Sequence, residues 1–341
     1  MIAALHQIEI AFTLLIQQMG SWLVMPMAAF TSLGIEMFYL LVTPTLFWCF
    51  STAQGMRVGL MLLLTNGINS IFKISLRSPR PYWVDQRVKV LFQAETSFGL
   101  PSGHAQTAAS VWGIFAAHIK DKWVRWLAAI MVFFIGFSRI YLGVHFTSDV
   151  LLGWLIGGLL VFAFLKLEQP VVNWFRRQPV TIQILAGFAV SAILLILVFI
   201  PLQLLAGWQI PAEWQQFSEI NFPGSTVDPL NPEGVITSAG TLFGLIAGLA
   251  WIEKGYNGYN PAGTPGQIML RLVVGFAGIG IFWYGLGEIF PREPGMLAYL
   301  LRYLRYALIG IWVTAAAPIL FIKMRLAQPG WAVSKTNESS S

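Results

Sequence analysis

Charged side chains are scarce in this sequence. Asp, Glu, Lys and Arg make up 11% of its 341 residues, where a soluble domain carries about 25%. So few charges cannot cover a water-facing globule of this size, and the 56% of hydrophobic residues point the same way, to a chain embedded in lipid. Cysteine is nearly absent: Cys49 stands alone inside an apolar run, which excludes an intrachain disulfide and any multi-cysteine metal centre and leaves a packing role. Acidic residues are outnumbered, 15 against 21 Lys and Arg. The basic residues are scattered among connecting segments, however, so the excess of +6 points to membrane orientation and an anionic substrate and not to nucleic acid. The first residues, MIAALHQIEI, have no basic region leading into a short apolar core and carry an early glutamate, so no signal-peptide removal is expected.

What the chain has in abundance is apolar runs of spanning length, roughly 20 residues each. They predict an all-α polytopic membrane bundle of about nine spans, near 33–51, 56–75, 104–119, 123–142, 145–165, 180–200, 234–252, 268–289 and 297–322. Residues 1–32, amphipathic and interrupted by polar pairs and a proline, predict an interfacial or re-entrant helix. The expected organisation is then this N-terminal helix, a core bundle over 33–166, a C-terminal transmembrane extension over 167–326 and a disordered tail over 327–341. In the extension, TSAGTLFGLIAGLAW spaces small residues as close helix contacts do, and Arg302 and Arg305 read as side chains snorkelling to an interface.

If the spans alternate, Arg57, Lys120, Lys122, Arg125, Lys166, Arg176, Arg177, Lys254, Lys323 and Arg325 share one side, which the positive-inside bias makes cytoplasmic. The loop 201–233 on the other side carries Glu213, Glu219, Asp228 and Glu233 and no Lys or Arg. Loop 76–103 breaks this rule, being basic yet outside, so its cations are expected to serve chemistry.

Three polar clusters fall at that outer face: KISLRSPRPY (73–82), LPSGHAQ (100–106) and SRIYLGVHFTSD (138–149). Ionisable groups at a membrane are costly unless they line a cavity and pair there. Lys73, Arg80 and Arg139 would repel one another without an anion among them, and a phosphate suits the planar fork of arginine and the point charge of lysine. Ser102 is a good N-cap, and Gly103 allows close backbone approach at a helix start, where N–H groups and the dipole favour an oxyanion. His145 and Asp149, four apart, are expected on one face of the fifth span, where the carboxylate takes one ring proton and frees the other nitrogen to attack. His104 then serves as general acid and base.

Singly, Lys73 and the arginines read as interfacial anchors, Ser102–Gly103 as a plain helix cap, and His145 with Asp149 as a structural pair. Jointly the bland readings fail. No further carboxylate or thiol accompanies the histidine, so no zinc or magnesium centre is expected. His6 and His118 read as surface or interfacial residues, Arg77 as a headgroup contact, and Tyr82, Trp83 and Tyr141 as an interfacial aromatic belt. The segment PLQLLAGWQIPAEWQQF (201–217) reads as an outer interfacial helix, with a lid as the alternative.

In order and internal spacing the clusters resemble the signature of the type-2 phosphatidic-acid phosphatase superfamily: K-x6-R-P at Lys73 to Arg80-Pro81, P-S-G-H at Pro101 to His104, and S-R-x5-H-x3-D from Ser138-Arg139 through His145 to Asp149. The resemblance covers about residues 33–165, and the C-terminal spans look like the extensions of longer members such as sphingosine-phosphate phosphatase-like proteins. It implies metal-independent hydrolysis of a phosphomonoester or diphosphate of an amphiphilic lipid through a phosphohistidine, without a cofactor. Lys73, Arg80, Ser102, Gly103 and Arg139 would hold phosphate; His145, His104 and Asp149 would be catalytic. The compact chain suggests a bacterial inner membrane, with the site on its outer face. Two rivals remain at this level: a lipid phosphotransferase using the same intermediate, and a lipid or anion transporter using the same charges.

Overall fold

A backbone in lipid has no water to satisfy its N–H and C=O groups, so long apolar runs must become helices. The computed structural model describes residues 2–291 and 293–330. Among the described residues it is helical apart from loops and one antiparallel two-residue pair, β1 (Tyr259–Asn260) with β2 (Gln328–Pro329). In chain order the helices are α1 (Ile2–Gln17), α2 (Val24–Ser32), α3 (Glu36–Thr45, continued by a π turn, Leu46–Phe50), α4 (Thr52–Leu76), α5 (Pro81–Val84), α6 (Gly103–Ala117), α7 (Lys122–Tyr141) and α8 (Thr147–Arg177). Then follow α9 (Val180–Leu204), α10 (Ala212–Asn221), α11 (Glu233–Tyr256), α12 (Pro265–Gly280), α13 (Leu286–Ile289), α14 (Met296–Ile311) and α15 (Ala317–Lys323). The protein is thus an all-helical polytopic bundle.

Among the described residues seven stretches are long and apolar enough to cross a bilayer, eight if the bent pair Leu5–Gln17 and Ser21–Ser32, broken by 92°, is one span. The runs expected at 33–51 and 104–119 form shorter helices, Phe38–Phe50 and the 15-residue α6. The bend at Gly20, where φ is 107°, sets the two N-terminal helices at about a right angle as a broken span or re-entrant pair. On α8, Leu151, Leu155, Leu159 and Phe162 are exposed, one stripe at helical spacing that suits lipid contact. Of the expected tail, residues 331–341 lie outside the described residues, and Gln328–Pro329 form β2.

The chain divides into two compact units. The first comprises the segment up to Tyr39, Met61–Val171 and Ile193–Val235, and all three polar clusters belong to it. Its core gathers Tyr82, Trp83, Phe98, Tyr141, Phe146 and Val150. Within it Gly153 and Gly157 let α8 press against the start of α6: a Cβ there would lie 2.8 Å from the Ser102 carbonyl and 2.6 Å from that of Gln106. A buried network locks α6 to α4, with Asn69 donating to the Gln106 side chain (2.8 Å) and Gln106 to the Thr65 carbonyl (3.0 Å). Tyr82, Trp83 and Tyr141 are fully buried, not an interfacial belt, because each has an internal partner: Glu95, Trp214 and the Gly20 carbonyl respectively. The segment 201–217 takes in the end of α9, a loop and the start of α10, whose Trp214 stacks on Trp83 at 5.5 Å while Trp208 packs on Phe98.

The second unit comprises Leu40–Leu60, Val172–Ala192 and the segment from Ile236 onward. The small-residue stripe expected in α11 packs as its spacing implies, Gly244 meeting the Ala307 carbonyl where any Cβ would collide. Arg302 and Arg305 are half-buried, with their guanidinium groups over the Tyr306 ring at 5.8 and 5.0 Å, and Arg302 Nε also donates to the Thr237 hydroxyl at 3.1 Å.

Candidate active site

Asp149 organises the third cluster. α7 ends after Tyr141, Gly143 turns the chain at φ 78°, and α8 begins at Thr147. His145 therefore lies in the connection before α8, not on its face as the four-residue spacing suggested. The pairing survives for a different reason. Oδ2 of Asp149 accepts the Phe146 backbone N–H at 2.9 Å, capping the helix, and contacts Nδ1 of His145 at 3.1 Å. One carboxylate oxygen thus fixes both the helix entry and the imidazole.

The other ring nitrogen, Nε2, lies 3.1 Å from Nη1 of Arg80. A guanidinium only donates, so Nε2 is the acceptor and Nδ1 carries the proton toward Asp149. Arg80 is fully buried. Its remaining donors go to the Ser97 carbonyl (2.6 Å) and hydroxyl (3.2 Å), the Phe98 carbonyl (3.2 Å) and the Val144 carbonyl (2.8 Å). Arg80 therefore ties loop 85–102 to the His145 connection and lends the site its charge, with its N–H groups already engaged.

Lys73, in the last turn of α4, donates to the Ser97 hydroxyl at 2.8 Å. Ser102 caps α6, its hydroxyl accepting from the Ala105 N–H, and its own N–H donates to the Asp149 carbonyl at 2.9 Å. Gly103 opens the helix beside Asn69, and His104 follows on its first turn. Arg139 donates to the Thr31 hydroxyl and to Glu95. Lys73, Arg80, Ser102, Gly103, His104, Arg139, His145 and Asp149 all lie in this one network or in direct contact with it. Nε2 of His104, Nε of Arg139 and Oδ1 of Asp149 are buried without a hydrogen-bond partner among the described residues, donors and acceptors suited to a polar ligand.

Glu95 stands at the centre and was not anticipated. Its carboxylate pairs closely with Arg139, lies 3.8 Å from Nη2 of Arg80 and 3.9 Å from Nδ1 of His104. Burial works to raise this carboxyl, but Arg139 and Arg80, with His104 and Lys73, outweigh it and hold the group well below the ordinary carboxylate range. Two N-terminal residues were also missed. Glu9 of α1 accepts the Ser148 N–H at 2.6 Å and contacts its hydroxyl at 3.2 Å, and His6, expected at the surface, stacks on Phe146 at 4.2 Å. The one available signal was a carboxylate in a largely apolar helix, which composition alone cannot connect to the start of another helix 139 residues away.

This geometry agrees with sequence similarity. Residues 54–172 match the profile of the PAP2 superfamily, and residues 236–329 that of the PAP2 superfamily phosphatase transmembrane extension. Phosphatidylglycerophosphatase B of Bacillus subtilis (strain 168) is 32% identical over 173 residues, 46% of this chain and 80% of that protein. The chain belongs to the PAP2 superfamily. It is a membrane phosphatase, a phosphoric ester hydrolase, carrying the C-terminal transmembrane extension. Undecaprenyl-diphosphatase of Sulfolobus acidocaldarius is 26% identical over 115 residues, 34% of this chain and just over half, 55%, of that relative. Human glucose-6-phosphatase 2 is 26% identical over 319 residues, 82% of this chain and 85% of its own. The PAP2 match begins at residue 54, so Glu9 and Thr31, which brace the site, come from helices that precede it.

Proposed function

We propose that this PAP2 chain removes phosphate from a phosphomonoester or diphosphate of an amphiphilic lipid through a phosphohistidine. The observation that carries the reading is the placement of His145: Nδ1 is directed at Asp149, and the lone pair of Nε2 accepts from Arg80, a bond that it exchanges for phosphorus when it attacks. Nε2 attacks phosphorus and forms a P–N bond as the P–O bond to the lipid breaks, and His104 protonates the departing oxygen. Water, deprotonated by His104, then attacks the phosphohistidine, releasing inorganic phosphate and free His145. Lys73, Arg80 and Arg139, with the amides at the start of α6, stabilise the five-coordinate phosphorus. These steps use only side chains and water, and no metal or cofactor. The basic-residue bias supports a site on the outer face of the membrane.

A second reading takes a soluble sugar phosphate as substrate, favoured by the match to glucose-6-phosphatase 2 along most of the chain. A phosphate-release panel with the purified protein in EDTA separates the two. Phosphatidic acid, phosphatidylglycerol phosphate, a prenyl diphosphate, a sphingoid base phosphate and glucose 6-phosphate are compared. Turnover of lipid phosphates with His145→Ala inactive supports the first reading. Full activity of both His145→Ala and His104→Ala would sink it, and preference for the sugar phosphate would replace its substrate class.

A further inference from the structure

The phosphate cradle contains an anion of its own. Glu95 reaches Arg139, Arg80 and His104 at once, the set of groups the reaction needs for a phosphoryl group. Its backbone is fixed on both sides. The Tyr82 hydroxyl donates to the Glu95 carbonyl (2.8 Å) and accepts its N–H (2.9 Å). The next carbonyl, of Thr96, accepts the Asp228 N–H at 3.0 Å, and Ser97 is held by Lys73 and Arg80. Only the side chain is left to move, and it is 29% exposed, while those of Arg80 and Arg139 are 0% and 4% exposed. A carboxylate tethered this way competes with any incoming anion at an effective concentration of at least millimolar order.

We propose that Glu95 is a charge-selectivity residue: its carboxylate fills the cradle until a dianionic phosphomonoester or diphosphate headgroup displaces it, and it keeps monoanionic phosphodiester headgroups out. The proposal rests on the hydrolase reading for its biological sense, not for its test. With Lys73, Arg80 and Arg139 charged and Asp149 ionised beside them, the Glu95 carboxylate leaves one positive charge uncompensated, whereas a dianion in its place leaves none. A phosphodiester carries the same single charge as Glu95 and lacks the advantage of the tether, so exchange gains it nothing. A membrane presents phosphodiester lipids in large excess over any phosphomonoester, and without such a residue they would occupy the site.

The test is anion binding to the full-length protein in a neutral detergent at about pH 8, where phosphate is mostly dianionic, read by calorimetry and by thermal shift. Orthophosphate and dimethyl phosphate are compared for the wild type, Glu95→Gln and Glu95→Asp. The wild type is expected to bind orthophosphate and to reject dimethyl phosphate. Glu95→Gln is expected to bind dimethyl phosphate at least tenfold more tightly than the wild type does and to gain more thermal stability from orthophosphate. Equal dimethyl phosphate affinity in the two proteins overturns the proposal. Should Glu95→Gln fail to fold, Glu95→Asp, whose carboxylate is drawn back by one methylene, is read by the same criterion: tighter diester binding supports the proposal and unchanged binding overturns it. A wild type that binds these anions selectively yet releases no phosphate from any substrate would end the hydrolase reading alone.

Discussion

Oε1 of Glu9 accepts the backbone N–H of Ser148 at 2.6 Å. A carboxylate from the first helix thereby caps the helix that carries Asp149, from outside the segment that matches the superfamily profile. An α-helix begins with unpaired N–H groups, and an acidic partner there is favoured by both hydrogen bonding and the dipole.

Glu9→Ala should therefore destabilise the protein by about 0.5–2 kcal/mol, the usual worth of a cap, and lower kcat about tenfold or more with a smaller change in KM, because displacing a reacting group by an ångström costs up to ~10²-fold. Thermal unfolding in detergent and steady-state kinetics check both numbers. A variant with wild-type kcat would reduce Glu9 to a packing residue.

Asp149→Asn and His104→Ala should fail differently. The first replaces the carboxylate that holds Nδ1 of His145 with a neutral amide, which loses the charge and no longer enforces the tautomer, and should slow turnover by about 10²–10⁴-fold with every substrate. The second removes the acid and base. With an aryl phosphate whose leaving group needs no proton, His104→Ala should still form the phosphohistidine and then stall, giving a burst of phenol and a labelled protein that acid treatment releases. Absence of that burst would argue against the division of roles between the two imidazoles.

Arg80→Lys keeps the charge and loses the fork. The carbonyls of Ser97, Phe98 and Val144, the Ser97 hydroxyl and His145 Nε2 now accept from one guanidinium, an ammonium has only three donors on one atom, and each buried acceptor left unpaired costs about 1–3 kcal/mol. The expected result is a lowered melting temperature and lost activity that the retained charge does not rescue. Wild-type stability would show that charge is all Arg80 supplies.

Glu95 makes a pH prediction whose sign follows from its lowered carboxyl. A group that ionises more readily when folded stabilises the fold fully above its unfolded value, about 4.5, and loses that contribution as pH falls below it. In the absence of added anions the wild type should therefore melt above Glu95→Gln at neutral pH, with the gap holding down to about pH 4.5 and closing below it. The ionised partners facing the carboxylate are Arg139, Arg80 and Lys73, with His104 beside them. A gap that closes between pH 8 and 6 would instead assign the effect to another group.

Much of the site was legible because its residues stand out against a lipid-adapted background. Lys73, Arg80, Arg139, His104 and His145 are costly beside hydrocarbon, so their mere presence at matching depths announced a shared purpose. The residues that escaped are those whose meaning lies in a partner distant along the chain. Glu95 carries no motif of its own in a loop that stands out for its cations, and Glu9 is a polar interruption in an amphipathic helix. Tyr82 and Trp83 looked like headgroup anchors, since aromatic residues near a span end serve either role and only packing chooses between them.

By itself the sequence determined that this chain is helical, that it spans a membrane several times, and that one region gathers cations and imidazoles fit for phosphate. Those conclusions need only local composition, hydrogen-bond satisfaction in lipid, and the cost of isolated charge. Only the tertiary structure decided that Asp149 reaches His145 by capping a helix, that Arg80 spends its donors on carbonyls, and that Glu95 sits among the cations. Each of these depends on which of several competing partners a folded chain brings within about 3 Å, and no local rule contains that distance.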